Sequence, residues 1–119
     1  MPQLIVDLSD GVVLDRPAFA AAAHALTVAL VDAAPEDCKT RFRRAEDVHV
    51  GDGAPGQALA AGVIELLAGR PAALRTRLSE ALLDLLAEHA APPPGGLLHL
   101  SWDVRELDRD LYRKTSVQG

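Results

Sequence analysis

Two groups of residues have the types and spacing for chemistry. Pro2 follows Met1 and leads directly into Gln3, Leu4, Ile5 and Val6, an alternation that reads as the start of a β-strand. Removal of Met1 would leave Pro2 as a secondary amine at the edge of a folded sheet. An α-amino group titrates near ~8 when unperturbed, so a modest shift brings it to neutrality, where general acid/base catalysts work best. The competing reading is a frayed terminus with no role. The second group is Lys39, Arg41, Arg43 and Arg44, four of the chain's twelve Lys and Arg residues. In a chain of net charge −5 such a cluster can focus a field on a small anion. For each of the four taken alone, the plain alternative is a solvated side chain on a strand or loop. Cations near an amine disfavour its protonation, as does desolvation by apolar neighbours such as Leu4. The same cations would stabilise an enolate as it forms, so base and anion site support each other.

Other reactive residue types lack a partner pattern. His24, His49, His89 and His99 fall in different elements and show no i, i+4 pair with a third ligand nearby, so they read as structural or exposed and no metal is expected. Cys38 is the only cysteine, which excludes an internal disulfide; a small buried thiol is a more frequent outcome than one activated by Lys39. Gly51, Asp52 and Gly53 lack the lysine and the hydroxyl residue of a phosphate loop and read as a turn. Glu80, Asp84 and Glu88 form an acidic stripe at helical spacing, the solvated face of a helix.

The elements that must position these residues follow from periodicity. Residues 2–8 alternate as a strand, with Leu4, Val6 and Leu8 on one face. Asp15, Arg16 and Pro17 open a helix whose buried stripe is Phe19, Ala22, Ala23, Leu26, Leu30 and Ala33, and Pro35 is expected to end it. A basic strand runs from about Cys38 to Arg44. After a Gly-rich connection, residues 58–67 are apolar on both phases, as a central strand requires. A second helix opens at Arg70 and Pro71 with Leu74, Leu78, Leu82, Leu85, Leu86 and His89 on one face. Leu98, Leu100, Trp102 and Val104 alternate as the last strand.

Laying Arg16 over Arg70 superposes strand on strand and helix on helix at an offset of 54 residues. The expected fold is therefore an α+β two-layer sandwich, in which duplicated β-α-β units form a four-stranded sheet with two helices on one face. At 119 residues it is one domain: repeat 1 over about 2–50, repeat 2 over about 57–106, and a C-terminal tail over 107–119. The uncovered sheet face, with apolar material from residues 58–67, is expected to bury itself against other copies of the chain. The acidic balance argues against nucleic acid or an anionic membrane as partner. With one cysteine, no apolar leader and no run long enough to span a bilayer, the expected location is cytoplasmic.

Six short pieces in order resemble the 5-carboxymethyl-2-hydroxymuconate isomerases of the tautomerase (4-oxalocrotonate tautomerase-like) superfamily. They are the opening Pro-x-Leu-Ile-Val-Asp of residues 2–7, Lys39-Thr40-Arg41, Gly51-Asp52-Gly53, Ala68-Gly69-Arg70, Leu100-Ser101 through Arg105-Glu106-Leu107, and Tyr112-Arg113-Lys114. The resemblance implies a cofactor-free homotrimer in aromatic compound catabolism, each N-terminal proline facing a pocket lined partly by a neighbour. It implies Pro2 as the proton shuttle in a 2-hydroxymuconate-type dienol acid. It also implies Arg70 as a cation facing a substrate carboxylate or the developing enolate, against the plain reading of an ion pair where the second helix begins. Lys39 stands where these isomerases usually carry arginine and offers a point charge in place of a planar fork. Arg41, two residues on, shares its strand face and is the second candidate substrate anchor. Leu111 and Tyr112 are expected at subunit contacts. Two alternatives share the scaffold: a hydratase or dehalogenase acting on a small unsaturated acid, and a non-catalytic trimer that binds a small anion or a protein.

Overall fold

The computed structural model describes residues 2–119; Met1, on whose removal the amine chemistry depends, lies outside them. The chain runs β1 (Gln3–Ser9), β2 (Val13–Leu14), α1 (Arg16–Val31), a short 3-10 turn (Pro35–Asp37), β3 (Lys39–Ala45), β4 (Gln57–Leu67), α2 (Ala72–His89), β5 (Ala90–Ala91) and β6 (Leu97–Leu107). The sheet order is β3-β1-β4-β6. β1 lies parallel to β3 and β4 parallel to β6, each pair being linked through a helix, while the central β1–β4 pair is antiparallel. Two β-α-β units thus share one sheet with both helices on the same face. β2 and β5 form a separate two-stranded ribbon that periodicity did not reveal, because two residues are too few to show a pattern.

Local chemistry sets the helix bounds. The Asp15 side chain accepts a hydrogen bond from the Ala18 amide at 3.1 Å and so caps α1. The helix stops at Asp32, whose φ of 52° turns the chain left-handed; Pro35, expected to end the helix, opens the 3-10 turn instead. The buried positions of α1 are Phe19, Ala23, Thr27 and Val31, with Leu26 and Leu30 only partly covered. Thr27 is tolerated there because its hydroxyl donates to the Ala23 carbonyl at 2.8 Å. In α2 the equivalent positions are Leu78, Leu82 and Leu86. β1 and β4 keep the 54-residue offset, whereas the registers Gln3↔Lys39 and Gln57↔Leu97 relate β3 to β6 by 58, and the buried faces of the helices are related by 55, from Ala23, Thr27 and Val31 to those three leucines.

Leu4, Val6 and Leu8 of β1 and Ala60, Ile64 and Leu66 of β4 form the floor beneath the helices. One row across the sheet runs Phe42, Val6, Gly62, Trp102. A β-carbon at position 62 would lie 2.0 Å from two atoms of the Trp102 ring, so glycine is required there by space. Phe19 descends from α1 onto this row, its ring centroid 6.3 Å from Phe42 and 6.1 Å from Trp102.

Strict alternation places only half of β4 on the uncovered face. That face carries Ile5, Leu59, Ala61 and Val63 at its centre, flanked by Lys39, Arg41 and Arg43 on β3 and by Asp103 and Arg105 on β6. Among the described residues no helix is long and apolar enough to cross a membrane.

Gly62→Ala forces the indole off its seat and is expected to lower unfolding stability by about 2–3 kcal/mol. Asp15→Ala, which removes only the cap, should cost about 1 kcal/mol. Urea denaturation of both variants checks the order; equal effects would remove Gly62 from its place in the core.

Candidate active site

Pro2 stands one residue ahead of the Gln3↔Lys39 and Gln3↔Glu65 pairs, which places it between Cys38 and Leu66 at the head of the central strand. It is fully buried, and its carbonyl accepts a hydrogen bond from the Lys39 amide at 3.2 Å. Leu4 and Leu66 are buried beside it, as is Cys38. Burial, reinforced by the charge of Asp37, pushes the Cys38 thiol above its ordinary range, which disfavours the thiolate that a nucleophile needs.

A cleft of about 710 Å³ opens next to this end of β1, lined by Gln3, Glu36, Asp37, Lys39, Tyr112, Arg113, Lys114, Thr115 and Ser116. One wall is the tail. After β6 the chain makes a turn in which the Tyr112 amide donates to the Asp108 carbonyl at 3.1 Å, then passes back along the sheet end. The Tyr112 hydroxyl accepts from Gln3 Nε2 at 3.4 Å, and Lys114 Nζ donates to Asp37 Oδ1 at 3.0 Å. The Lys114 hydrogen bond and charge, with a smaller contribution from Lys39, hold the Asp37 carboxyl below its ordinary 3.8. The Asp37 hydrogen bond and charge in turn hold the Lys114 ammonium above 10.5. A depressed acid stabilises the docked tail above its unperturbed value and loses that contribution as pH falls through the lowered one. A raised base does so below its unperturbed value and loses it as pH rises through the raised one. The clamp is therefore intact from 3.8 to 10.5.

The structure disperses the basic cluster. Arg43 makes two bonds to Asp7, at 2.8 and 3.0 Å, and Arg44 pairs with Asp10 at 2.6 Å. Arg41 donates to Gln3 Oε1 at 2.8 Å. Lys39 has no ion-pair partner among the described residues and lines the cleft.

Arg70 lies at the same end of the sheet but does not line the cleft. Its guanidinium donates to the Leu67 carbonyl at 3.2 Å and the Val31 carbonyl at 3.1 Å, joining the end of β4 to the last turn of α1. Among the described residues no carboxylate partners it; the nearby ion pair is Arg75 with Glu106 at 3.4 Å, and Arg75 also donates to the Arg70 carbonyl. Among the histidines, His24 meets Thr40 Oγ1 at 2.7 Å and burial lowers its pKa, His89 meets the Leu85 carbonyl, and His99 meets Gln57. Among the described residues no three His, Cys, Asp or Glu side chains gather as a metal site would need.

The cleft residues that sequence reasoning missed are Gln3, Asp37, Tyr112 and Lys114. Tyr112 and Lys114 carried a signal only as part of the Tyr112-Arg113-Lys114 piece of the resemblance; Gln3 and Asp37 carried none.

No protein-family model matches the chain, and no curated protein matches it. Solved structures do. A 5-carboxymethyl-2-hydroxymuconate isomerase from Deinococcus radiodurans R1 superposes with a TM-score of 0.82 at 19% identity, covering 98% of this chain and 90% of that one. A fused wild-type 4-OT symmetric trimer superposes with a TM-score of 0.72 at 20% identity, over 90% of this chain and 86% of that one. N1, a member of the cis-3-chloroacrylic acid dehalogenase family, gives 0.69 at 21% identity, over 94% of this chain and 79% of that one. Few residues are shared, so the likeness lies in the order and packing of the elements: the chain has the tautomerase fold.

Proposed function

We propose that the chain is a cofactor-free isomerase in which Pro2, once Met1 is removed, moves a proton within a 2-hydroxymuconate-type dienol acid. The observation that carries this is the seat of Pro2, buried at the head of β1 between apolar neighbours and one residue from a cleft that Gln3 lines with Lys39, which has no ion-pair partner among the described residues. A neutral Pro2 nitrogen takes the proton from the 2-hydroxyl, the electron pair moves through the diene, and the same nitrogen returns the proton to carbon 5. The product is the 2-oxo-3-ene isomer with no atom gained or lost.

Burial and the Lys39 charge both disfavour the protonated amine, each pKa unit being worth about 1.4 kcal/mol. Lys39 also faces the negative charge that develops on the oxygen. Arg70 supports from behind, fixing the β4 end through two backbone carbonyls. The open sheet face, with Ile5, Leu59 and Val63 at its centre, would be covered by two further copies in a homotrimer, the assembly of the 4-OT structure.

Pro2→Ala should lower kcat/KM for ketonisation of 2-hydroxymuconate roughly 100-fold or more. Equal rates would remove Pro2 from the chemistry, and an intact mass that retains Met1 in protein from the native host would do the same. Lys39→Met should shift the acid limb of the kcat/KM profile to higher pH, because loss of a cation raises the amine pKa; an unmoved limb would show that Lys39 does not act on the base. Sedimentation is expected to give three times the 12.6 kDa of one chain, and a stable monomer would overturn the assembly.

A further inference from the structure

Tyr112 faces the cleft with a hydrogen to give. An amide nitrogen cannot accept, so in the contact between Gln3 Nε2 and the Tyr112 oxygen the amide is the donor and the phenol the acceptor. The Gln3 amide cannot be reversed, because its oxygen already accepts from Arg41 at 2.8 Å and a flip would set two donors against each other. The Tyr112 hydroxyl has no other partner among the described residues, and the residue lines the cleft together with Lys39 and Lys114. Arg41 thus orients Gln3, Gln3 occupies a lone pair of the phenol, and the phenolic hydrogen is left for the cleft. The clamp between Lys114 and Asp37 holds the segment in place two residues further on.

We propose that Tyr112 is the hydrogen-bond donor that holds a carboxylate of a dicarboxylate ligand in this cleft, with Gln3 and Arg41 as its positioning residues. Lys39 supplies charge without the geometric fork of an arginine and Tyr112 supplies direction; Arg113, which also lines the cleft, has its guanidinium on the Tyr112 carbonyl at 2.9 Å. The inference rests on the Pro2 reading only for what the bound acid then undergoes.

Adipate tests it, since it has the six-carbon dicarboxylate skeleton without the diene and cannot react. Calorimetric titration of the wild type should show binding. Tyr112→Phe should weaken it roughly 10-fold or more, the range for a hydrogen bond to a charged group, with the melting temperature unchanged. Gln3→Met should weaken adipate binding several-fold in the wild-type background and have no further effect on Tyr112→Phe, because Gln3 acts through the hydroxyl. In the wild type, adipate should also perturb the absorbance of the lone tyrosine. The proposal is overturned if the wild type does not bind adipate, if Tyr112→Phe binds it as tightly as the wild type, or if Gln3→Met costs the same in both backgrounds. The Pro2 reading fails separately: a wild type that binds adipate through Tyr112 but does not ketonise 2-hydroxymuconate has the anion site without the base.

Discussion

The Trp102 ring occupies the space that a side chain at position 62 would fill, and α1 is seated on the surface this creates. Phe19 makes the contact, touching Phe42 on one edge strand, Trp102 on the other, and His89 at the end of α2. An aliphatic core with four Phe, Tyr and Trp residues has gathered two of them, Phe42 and Trp102, around a third, the fully buried Phe19. Such a contact is directional, because offset and edge-on ring pairs fix orientation as well as distance. It sets the height of α1 above the sheet and with it the position of Val31, whose carbonyl Arg70 holds. The packing at the centre is thereby transmitted to the sheet end where Pro2 lies.

That end is built by register. Because β1 is antiparallel to β4 and parallel to β3, the start of β1, the start of β3 and the end of β4 coincide, and β6 finishes beside them. Proline suits the head of such a strand because its ring fixes φ near the extended range. The tail then closes one side with contacts that are individually weak. A long hydrogen bond at Gln3 and an exposed ion pair at Asp37 stabilise little alone, since solvent screens the pair and ordering the side chains costs entropy. Together they limit where Tyr112 can sit, and position is what a recognition contact requires.

Elements and faces were legible in the sequence where one local rule dominated: the Asp15 cap, the alternation of β1 and β6, and the leucine stripe of α2. The helix stop at Asp32 was not, because a left-handed aspartate leaves a weaker mark than a proline. Thr27 was missed as a core residue because its hydroxyl is satisfied within its own helix turn. Around the site, the position of Pro2 at a strand head and the exposure of Lys39 followed from the chain itself. The roles of Gln3, Asp37, Tyr112 and Lys114 did not, since Gln3 and Tyr112 are 109 residues apart and Asp37 and Lys114 are 77 apart. Contacts of that separation depend on where the tail lands after β6, which no local pattern encodes. Arg70 illustrates the converse. The resemblance implied an anion facing it and the plain reading an ion pair, and in the fold its guanidinium meets the Leu67 and Val31 carbonyl oxygens.

The charge cluster, taken as one field in the sequence, becomes four separate environments in the fold. Arg43 faces Asp7 in register across the β1–β3 ladder, so its charge is neutralised where it stands. Arg44 lies on the opposite face of the strand and meets Asp10 beyond the end of β1. Arg41 keeps its charge but is fixed on an amide. Of these four, only Lys39 has both that cleft beside it and no acid paired with it among the described residues. The Lys39 ammonium, in a chain that is acidic as a whole, attracts an anion locally without making the surface a general anion binder. Its flexible stem does not by itself fix the angle at which a carboxylate arrives. That angle must come from a rigid donor nearby, and the phenol of Tyr112, aligned by Gln3, is the cleft group whose direction the fold has set.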